Sequence, residues 1–555
     1  MSPKLLIVSN FYPPAIVGGA EVVAHRHARL LKGRGWNVRV LCGALPSAEH
    51  RSGTLIVNLV DEIEVLSLAH RSLEAADNFR WPLANRVLQS ILSSYGPDLV
   101  HFHNVMGLGA DLIRIAEEAG VRTAVTLHDH WGYCFKNTRL REDGSICSDV
   151  AECHLCKATI DHSVDSVPIR LRRDYVLSRL DKADIFISPS EYLADCYRDP
   201  ELGLGPIVVQ SNGVNLGDIP FRVRKPKKRV EFLCAAYLGE HKGILVLLEA
   251  IRLLDQRSEL KGRWSLTIAG HGHLKDIVES ALAGLLPAAP VKFAGRLKRD
   301  EMMRALDKTD VVVLPSIYPE NEPVILLEGA ATGAAMVATA VGGNPHIVKT
   351  EASGLLVQPG SAQALADAME RLILTPALVT AMSEYNLARR GALDETTSVD
   401  QLCALFDRPL PQRRRRSDII ICHGTPDLEV SQVLATLAKA IDGPPFRLIW
   451  QEWAEPTDWA SAKGFWCWDR SAGFKDVAQA LTWGLPMILP EGRFSRSLRQ
   501  IGRNVEAYRD SSELWQALAG LCFGEARERR ADLQGLLRFA MRLQPMEDFR
   551  LMVAE

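Results

Sequence analysis

DVVVLPSIYPENEPVILLEGAATGAAMVATAV, residues 310–341, decides the fold class of this chain. It opens with a short β-branched run at 310–316, continues as an apolar helical pattern, and closes with a second short run at 335–341. Strands buried on both faces of a parallel sheet have this length and this nearly continuous apolar character. The segment therefore predicts a strand, a crossover helix and a second, parallel strand.

Similar units extend in both directions from this segment. Further short apolar runs, separated by helical patterns, lie at residues 4–10, 37–43, 98–104, 123–129, 184–190, 230–236, 265–270 and 291–295. An Asn-Gly turn at 212–213 divides them into two sets. We therefore predict an α/β fold with two facing Rossmann-like domains, residues 1–213 and 214–407, and one ligand cleft at the carboxyl ends of their strands.

A third α/β segment, residues 418–555, follows a basic linker at 408–417. Residues 474–519 faintly resemble the end of the second domain but lack its spaced glutamates and its Gly-Gly loop. We predict a degenerate half-domain for scaffolding, homo-oligomer formation, or binding of an acceptor or partner. Its tryptophans fit either a sugar-stacking surface or a core; they are Trp450, Trp453, Trp459, Trp466 and Trp468.

Composition and charge restrict the class of protein. The formal net charge of −2 gives no reason to expect nucleic acid as a partner. There is no transmembrane-length apolar stretch and no signal-peptide pattern, and eleven cysteines favour a reducing compartment. We expect a cytoplasmic protein. The arginine-rich helical pattern at 168–180 leaves peripheral contact with the inner face of a membrane open, although a surface helix on the core is favoured.

Two carboxylates, Glu320 and Glu328, stand eight residues apart in the quoted segment. Pro323 is expected at the first helical position with Asn321 as the N-cap, which places Glu320 at the electropositive helix start. Glu328 is then expected about 7.5 Å further along the axis. This arrangement suits a ligand with a charged centre and hydroxyl groups at both ends, such as a sugar nucleotide. The alternative is a helix with solvated glutamates.

Two other elements favour a phosphate ligand. Gly18-Gly19 follows a strand and opens a helix, where backbone amides approach phosphate with no Cβ in the way. Lys242 precedes an apolar helix and is the candidate cation for a diphosphate. Without such a ligand, the glycines would mark an ordinary turn and the lysine would be a surface residue.

Three motifs resemble glycosyltransferase family four, whose members have the GT-B fold of two facing Rossmann domains. They are PPAIVGGAE at 13–21, TLHDHWGYC at 126–134, and the Glu-x₇-Glu stretch at 315–333 followed by VGGNP at 341–345. The resemblance covers residues 4–407. The pairing Glu320-Asn321-x-Pro323 is similar to one branch of the family.

The resemblance implies roles for individual residues. It implies that His128, Lys242 and Glu320 are catalytic, with Lys242 at the diphosphate and the other two at the donor sugar. The implied donor-binding residues are Gly18, Gly19, Arg296 (near the nucleobase), Asn321, Pro323, Glu328 (at the ribose hydroxyls), Gly342 and Gly343. Two positions depart from the family pattern: Tyr237 replaces a usual arginine, and His346 replaces a common acidic residue.

The resemblance also implies the chemistry. Family members take a sugar from a nucleotide sugar, here expected to be a UDP- or GDP-sugar, retain its anomeric configuration, and require no metal cofactor for catalysis. A leaving-phosphate oxygen takes the acceptor proton, so the carboxylate pair of a glycosidase is not needed. The expected acceptor is a glycan, a lipid-linked molecule or a protein, in polysaccharide biosynthesis.

A cysteine cluster occupies the loop at 131–165. Cys134, Cys147, Cys153 and Cys156 provide four thiols, the number in a tetrahedral site, so structural zinc is a hypothesis for this loop. The alternative is a group of reduced, partly buried thiols. Similar cysteines occur in the same branch of the family, which supports a local structural role.

The sequence therefore predicts a retaining, hexosyltransferase-type glycosyltransferase. One alternative is a catalytically weakened subunit that binds a nucleotide sugar or a partner in a glycosylation complex; Tyr237, His346 and the extra C-terminal segment favour it. A second alternative is a sugar-nucleotide synthase or phosphorylase on the same fold.

Overall fold

A computed structural model describes most of residues 2–408 and five short pieces beyond them. The described residues are 2–16, 18–46, 51–70, 81–141, 143–148, 153–156, 159–162, 165–199, 202, 204–283, 290–408, 419–424, 447–451, 464–468, 487–490 and 505–508. Nearly all of the predicted linker at 408–417, Trp453, Trp459 and most of residues 474–519 lie outside the described residues.

The first part of the chain forms an eight-stranded sheet in the order β10-β9-β6-β5-β1-β2-β4-β3. The strands are β1 (Lys4–Ser9), β2 (Asn37–Ala44), β3 (Leu55–Val60), β4 (Ile63–Ala69), β5 (Leu99–Phe102), β6 (Arg122–Thr126), β9 (Ile185–Ser188) and β10 (Ile207–Val209), while β7 (Thr159–His162) and β8 (Asp165–Pro168) form a separate pair. All sheet pairs are parallel except the edge pair β3–β4. The apolar run of β1 is fully buried at its centre, as predicted.

The second part forms a six-stranded parallel sheet in the order β13-β12-β11-β14-β15-β16. Its strands are β11 (Val230–Ala235), β12 (Trp264–Ala269), β13 (Val291–Gly295), β14 (Val311–Leu314), β15 (Ala335–Thr339) and β16 (Gly354–Val357). Residues 310–341 supply β14, a helix and β15, and these two strands pair in parallel, as predicted. The strand order reverses between β11 and β14, the kind of position where open α/β sheets bind ligands.

Helices cover both sheets and connect their strands. They are α1 (Gly19–Gly33), α2 (Pro82–Tyr95), α3 (Asp111–Glu118), α4 (Cys153–Cys156), α5 (Ile169–Leu180), α6 (Glu191–Tyr197), α7 (Ile244–Asp255), α8 (Lys275–Ala283), α9 (Arg299–Lys308), α10 (Val324–Thr332), α11 (Asn344–Ile347), α12 (Ala362–Leu374), α13 (Pro376–Ala388) and α14 (Glu395–Phe406). The parallel sheets with covering helices confirm the predicted α/β class.

The chain crosses between the two sheets twice, and the two crossings run side by side. Val214 and Asp394 form a parallel bridge there. Gly213 has a φ of +65°, and a Cβ at this position would crowd the backbone of Glu395. After the second crossing, α14 packs against the first sheet, where Leu402 and Phe406 join its apolar core. The last helix of the predicted second domain thus covers the first sheet.

The third segment contributes a five-stranded parallel sheet in the order β18-β17-β19-β20-β21. The strands are β17 (Ile419–His423), β18 (Arg447–Trp450), β19 (Gly464–Cys467), β20 (Met487–Pro490) and β21 (Val505–Tyr508). Trp466 and Trp468 are buried with their rings 5.3 Å apart in an edge-to-face arrangement. These two tryptophans therefore belong to the core and form no sugar-stacking surface.

The arginine-rich helix α5 has an environment that excludes its three described arginines from a membrane surface. Arg172, Arg173 and Arg179 are each at most 3% exposed. Arg172 lies over the ring of Trp131, and Arg179 is 3.2 Å from Asp111. The three arginines are buried in the protein interior and cannot contact a membrane surface. The prediction of membrane contact is therefore wrong for these side chains. Across the described residues, no helix is both long enough and apolar enough to cross a bilayer.

Candidate active site

Lys242 and Glu320 meet at the carboxyl ends of two adjacent strands of the second sheet. Lys242 closes a short 3₁₀ turn, Glu240–Lys242, after β11, and Glu320 lies in the loop after β14. The Lys242 Nζ atom donates a hydrogen bond to Glu320 Oε1 over 2.7 Å. The next residue, Gly243, has a φ of +70°, and a Cβ there would overlap the Pro315 carbonyl oxygen. This glycine lets the lysine-bearing turn pack directly against the glutamate-bearing loop.

Hydroxyl donors complete the surroundings of the Glu320 carboxylate. Ser316 Oγ donates to Oε1 over 2.6 Å, and Tyr318 OH donates to Oε2 over 2.7 Å. Burial by itself raises the pKa of Glu320, but the charge and hydrogen bond of Lys242, aided by the two hydroxyls, outweigh it and hold the pKa below its usual value. Glu320 is thus an ionised, buried carboxylate with a fixed orientation.

The helix after Glu320 begins later than predicted. Helix α10 starts at Val324, and Pro323 is its N-cap with a ψ of 111°. The prediction of Pro323 at the first helical position and Asn321 as the cap is therefore wrong, because the extended backbone at Pro323 delays the first turn. The Asn321 side chain is used elsewhere.

Asn321 connects the second sheet to the first. Its Oδ1 accepts a hydrogen bond from Ser190 Oγ over 2.5 Å, and its Nδ2 donates to the backbone carbonyl of His128 over 2.8 Å. Ser190 and His128 follow β9 and β6, so the carboxyl ends of the two sheets face each other at this point. The neighbouring Glu322 also reaches across and accepts a 2.8 Å hydrogen bond from the Asn212 backbone N–H.

His128, which follows β6, contacts the histidine that follows β5, His103. Its Nε2 is 2.8 Å from His103 Nδ1, and the two rings stack. Burial lowers the pKa of His128 to about 4, so its ring is neutral near neutral pH. Burial also raises the pKa of the adjacent Asp129 to about 6, although the Trp131 backbone N–H binds its carboxylate.

Glu328 has a cationic neighbour that the sequence analysis did not identify. This carboxylate is 5% exposed on α10 and forms an ion pair with Arg299, the first residue of α9. The Arg299 side chain is 44% exposed at the surface. Arg296, the predicted nucleobase neighbour, is exposed on the loop between β13 and α9. In the sequence, the available signal for this contact was a second arginine, Arg299, three residues after Arg296.

Gly342 and Gly343 pack against the loop that carries Glu320. A Cβ on Gly342, whose φ is +59°, would overlap the Glu320 carbonyl oxygen, and one on Gly343 would overlap that of Asn321. The Gly343 backbone N–H donates to the Glu320 carbonyl over 2.7 Å. These glycines therefore determine the path of the loop and need no ligand to explain them.

Gly18 and Gly19 have a different environment. Gly18 caps α1, and its N–H donates to the carboxylate of Glu21 over 2.7 Å. A Cβ on Gly19 would meet no protein atom within 4 Å, and one on Gly18 would reach only Glu21, at 3.8 Å. Packing within the described protein therefore does not require either glycine, and the space beside the start of α1 is open.

Tyr237, at the position of the usual arginine, is surrounded by histidines. Its ring stacks at 5.9 Å on His241 and meets His271 edge to face at 5.7 Å. Tyr237 is 43% exposed. Burial and the charge of Lys242 lower the pKa of His241, so this ring is mostly neutral when Lys242 is charged.

The four predicted cysteine ligands are close enough to influence one another. Burial raises the pKa of Cys153 to about 11, and Cys134, Cys147 and Cys156 add smaller electrostatic contributions in the same direction. Each of the four is partly buried. The structural zinc stays a prediction.

The fold and this site define a class of protein with two Rossmann-like halves and a polar cleft between them. Known proteins share this architecture: sucrose-phosphate synthase from Thermosynechococcus elongatus superimposes with a TM-score of 0.56 at 18% identity, over 73% of this chain and 98% of that one. Anabaena Alr3699/HepE in complex with UDP and glucose gives 0.51 at 17% identity, over 73% and 99%.

Sequence comparison identifies the family. The model for Glycosyltransferase Family 4 matches residues 17–218, and the model for Glycosyl transferases group 1 matches residues 217–389. Glycogen synthase from Mycobacterium tuberculosis H37Rv is 27% identical over 398 residues, 67% of this chain and 87% of that protein. The chain belongs to glycosyltransferase family four. It is a hexosyltransferase-type enzyme that moves a sugar from a nucleotide-sugar donor to an acceptor.

Proposed function

We propose that the protein transfers a hexose from a UDP- or GDP-sugar with retention of configuration, using His128, Lys242 and Glu320 as its catalytic groups. The observation that carries the proposal is the assembly at the facing sheet edges. An ionised Glu320 is paired with Lys242, and its loop is tied through Asn321 to the backbone of His128. The side chains that both halves contribute to the site are thereby held in place before the nucleotide sugar binds.

The diphosphate is assigned to the space between Lys242 and the start of α1. Negative charge grows on the leaving diphosphate during transfer, so a cation and free amide donors stabilise the transition state. Lys242 is 19% exposed and still has donor capacity beyond its bonds to Glu320 and Tyr318. The open space at Gly19 supports backbone contact with phosphate from the opposite side.

The ribose hydroxyls are assigned to Glu328. A carboxylate accepts two hydroxyl hydrogen bonds in a bidentate manner, and Arg299, being partly exposed, is able to move aside or to contact the donor itself. Asn321, Pro323, Gly342 and Gly343 then act by holding the Glu320 loop, and Arg296 stays the candidate for the nucleobase.

The acceptor proton is assigned to a leaving-phosphate oxygen. Front-face transfer of this kind needs neither a second catalytic carboxylate nor a metal cofactor. With Tyr237 at the usual arginine position, the neighbouring His241 is the group able to supply a second cation when protonated. Binding of the donor phosphate would favour that protonation.

A direct test is turnover against a panel of nucleotide sugars with glycan, lipid-linked and protein acceptors. Glu320→Gln keeps the size and the hydrogen-bonding oxygen but removes the charge, and it should abolish transfer. Glu279→Gln, an exposed change on α8, is the matched control. If no nucleotide sugar turns over with the wild-type chain, or if Glu320→Gln retains full activity, the proposal is overturned.

Tyr237 favours one alternative function, a subunit that binds nucleotide sugar without transferring it. Replacing a fixed cation by a neutral phenol weakens stabilisation of the leaving diphosphate more than it weakens ground-state binding. Calorimetry separates the two: tight binding of a nucleotide sugar without turnover would favour the subunit.

The remaining assignments extend the same proposal. The cysteines at 134, 147, 153 and 156 are proposed to hold a structural zinc that orders the acceptor side of the cleft. The C-terminal segment is proposed to bind an acceptor, a partner or a second copy, and the cytoplasmic face of a membrane is the proposed site of glycan assembly. Loss of metal in a Cys153→Ser, Cys156→Ser variant tests the zinc assignment.

A further inference from the structure

Three buried histidines converge behind His128. His27 comes from α1, His101 from β5, and His103 from the residue that follows β5. Each ring offers one potential ligand nitrogen, and these three nitrogens lie within 4.8 Å of one another. Their exposed fractions are 3%, 0% and 4%. His101 and His103 are two residues apart along an extended backbone, which directs both side chains to the same face of the sheet.

Most of the ring nitrogens in this cluster have no partner among the described residues. Both nitrogens of His27, Nδ1 of His101 and Nε2 of His103 are buried without a hydrogen bond. Buried polar atoms are usually satisfied, so four orphan nitrogens in one place require an explanation. Aromatic packing does not supply one, because the ring contacts leave these in-plane lone pairs and N–H groups unused.

The remaining nitrogens of His101 and His103 each have a hydrogen-bond partner outside the cluster. His101 Nε2 is 2.8 Å from Thr126 Oγ1, and His103 Nδ1 is 2.8 Å from His128 Nε2. A metal-binding histidine typically uses its second nitrogen in such a bond, which fixes the orientation of the ring. Each of these two histidines thus has one nitrogen anchored and the other directed into the cluster.

We propose that the imidazoles of His27, His101 and His103 bind a zinc ion at a buried site separate from the cysteine cluster. Neutral imidazole is a good ligand for Zn²⁺, and three protein ligands with one water complete a tetrahedral site. Nitrogens at about 2.0 Å from such an ion stand about 3.3 Å from one another. The nitrogens now lie within 4.8 Å of one another, so small movements of the rings would bring them to this spacing.

The ion would also determine the tautomer of His128. With Nε2 of His103 on the metal, its Nδ1 carries the hydrogen and donates it to His128 Nε2, so the His128 hydrogen resides on Nδ1. The effect of this tautomer on catalysis rests on the proposed function of His128, whereas the metal site itself does not. The ion therefore holds a positioning role behind the sheet edge.

The test uses the full-length chain produced in zinc-depleted medium supplemented with Co²⁺. Helix α14 covers the cluster, with Phe406 against His101, so loading during synthesis avoids a barrier to entry. In a Cys153→Ser, Cys156→Ser background, we expect Co²⁺ to be retained with ligand-field bands but without thiolate charge-transfer absorption. Adding His27→Leu should remove the bands and the metal. His25→Leu on the same helix is the matched control.

Other outcomes overturn the proposal. Absence of metal in the cysteine-variant chain would do so, as would equal metal content with and without His27→Leu. If His27→Leu fails to fold, X-ray absorption on the zinc-loaded cysteine variant decides the matter by the number of imidazole ligands. Fewer than three imidazoles around the ion would reject the site. Failure of the sugar-transfer assay alone would leave these metal measurements unaffected.

Discussion

Asn321 donates a hydrogen bond from its side-chain amide to the backbone carbonyl of His128 over 2.8 Å, joining the loops of two different sheets. The same side chain accepts a hydrogen bond from Ser190. One asparagine therefore contacts both halves of the proposed sugar site. Its role is geometric, since neither atom of the bond is charged.

Asn321→Asp should lower kcat/KM because it keeps the acceptor for Ser190 but replaces the amide donor with a carboxylate oxygen facing the His128 carbonyl. The loss of a buried hydrogen bond of this kind is worth about 1–3 kcal/mol, a decrease of about 5- to 150-fold. Steady-state kinetics measure it. Ser190→Ala isolates the other bond, and an Asn321→Asp enzyme with unchanged kcat/KM would contradict the positioning role.

Breaking the partly buried pair of Lys242 and Glu320 should destabilise the protein as well as inactivate it. Lys242→Met leaves the buried Glu320 carboxylate without its cation, at a cost of about 3 kcal/mol, whereas Glu320→Gln leaves only the partly exposed Lys242 and should cost less. The double variant should recover much of the stability lost in Lys242→Met but no activity. Denaturant unfolding gives the midpoints. Arg371→Met, which breaks the exposed pair with Glu351, should change stability little. Equal effects of the two disruptions would refute the buried-pair account.

Glu322 should make stability depend on pH. Burial raises the pKa of Glu322 to about 7, despite hydrogen bonds from Ser211 and Asn212. The folded state therefore holds this proton more tightly than the unfolded state, so its contribution is complete below about pH 4.5 and is lost as the pH rises through 7. Glu322→Gln should then match wild type at pH 4 and exceed it at pH 8, by at most about 3 kcal/mol. Equal pH profiles for both chains would be inconsistent with this pKa.

Gly19→Ala should weaken binding of the nucleotide sugar without weakening the fold. No protein atom lies near the added methyl group, and alanine favours a helix over glycine by up to about 1 kcal/mol. Gly33→Ala at the other end of α1 also meets no protein atom, and it is the matched control. Calorimetry should detect weaker donor binding only for Gly19→Ala. The same affinity in both variants would remove α1 from the diphosphate site.

The fold was largely predictable because buried parallel strands carry a local signal. The short apolar runs of β1, β11 and β14 are recognisable without tertiary information. The antiparallel pair β3–β4 was missed, since β3 is largely exposed and its turn uses Asp61 and Glu62 at positive φ in place of glycine. The start of α10 was also misplaced, because the ψ of Pro323 depends on the loop that Gly342 and Gly343 support.

The site was predictable in its composition but not in its pairings. The spacing of Glu320 and Glu328 and the position of Lys242 before an apolar helix made these residues candidates. Nothing local indicates that Lys242 binds Glu320 or that Arg299 binds Glu328. These contacts depend on which strands are neighbours in the sheet. The convergence of His27 with His101 and His103 likewise arises only when α1 is laid across the sheet.

Helix α14 lies beyond the region that the family models match, yet it packs against the first sheet. The family match ends at residue 389, but the segment Glu395–Phe406 lies beyond it and supplies apolar side chains to the first half of the molecule. Cleavage between residues 389 and 395, followed by loss of α14, would expose the apolar side chains that this helix covers near β1. An exposed apolar patch of this kind promotes aggregation. A recombinant fragment meant to retain both halves therefore has to extend past Phe406.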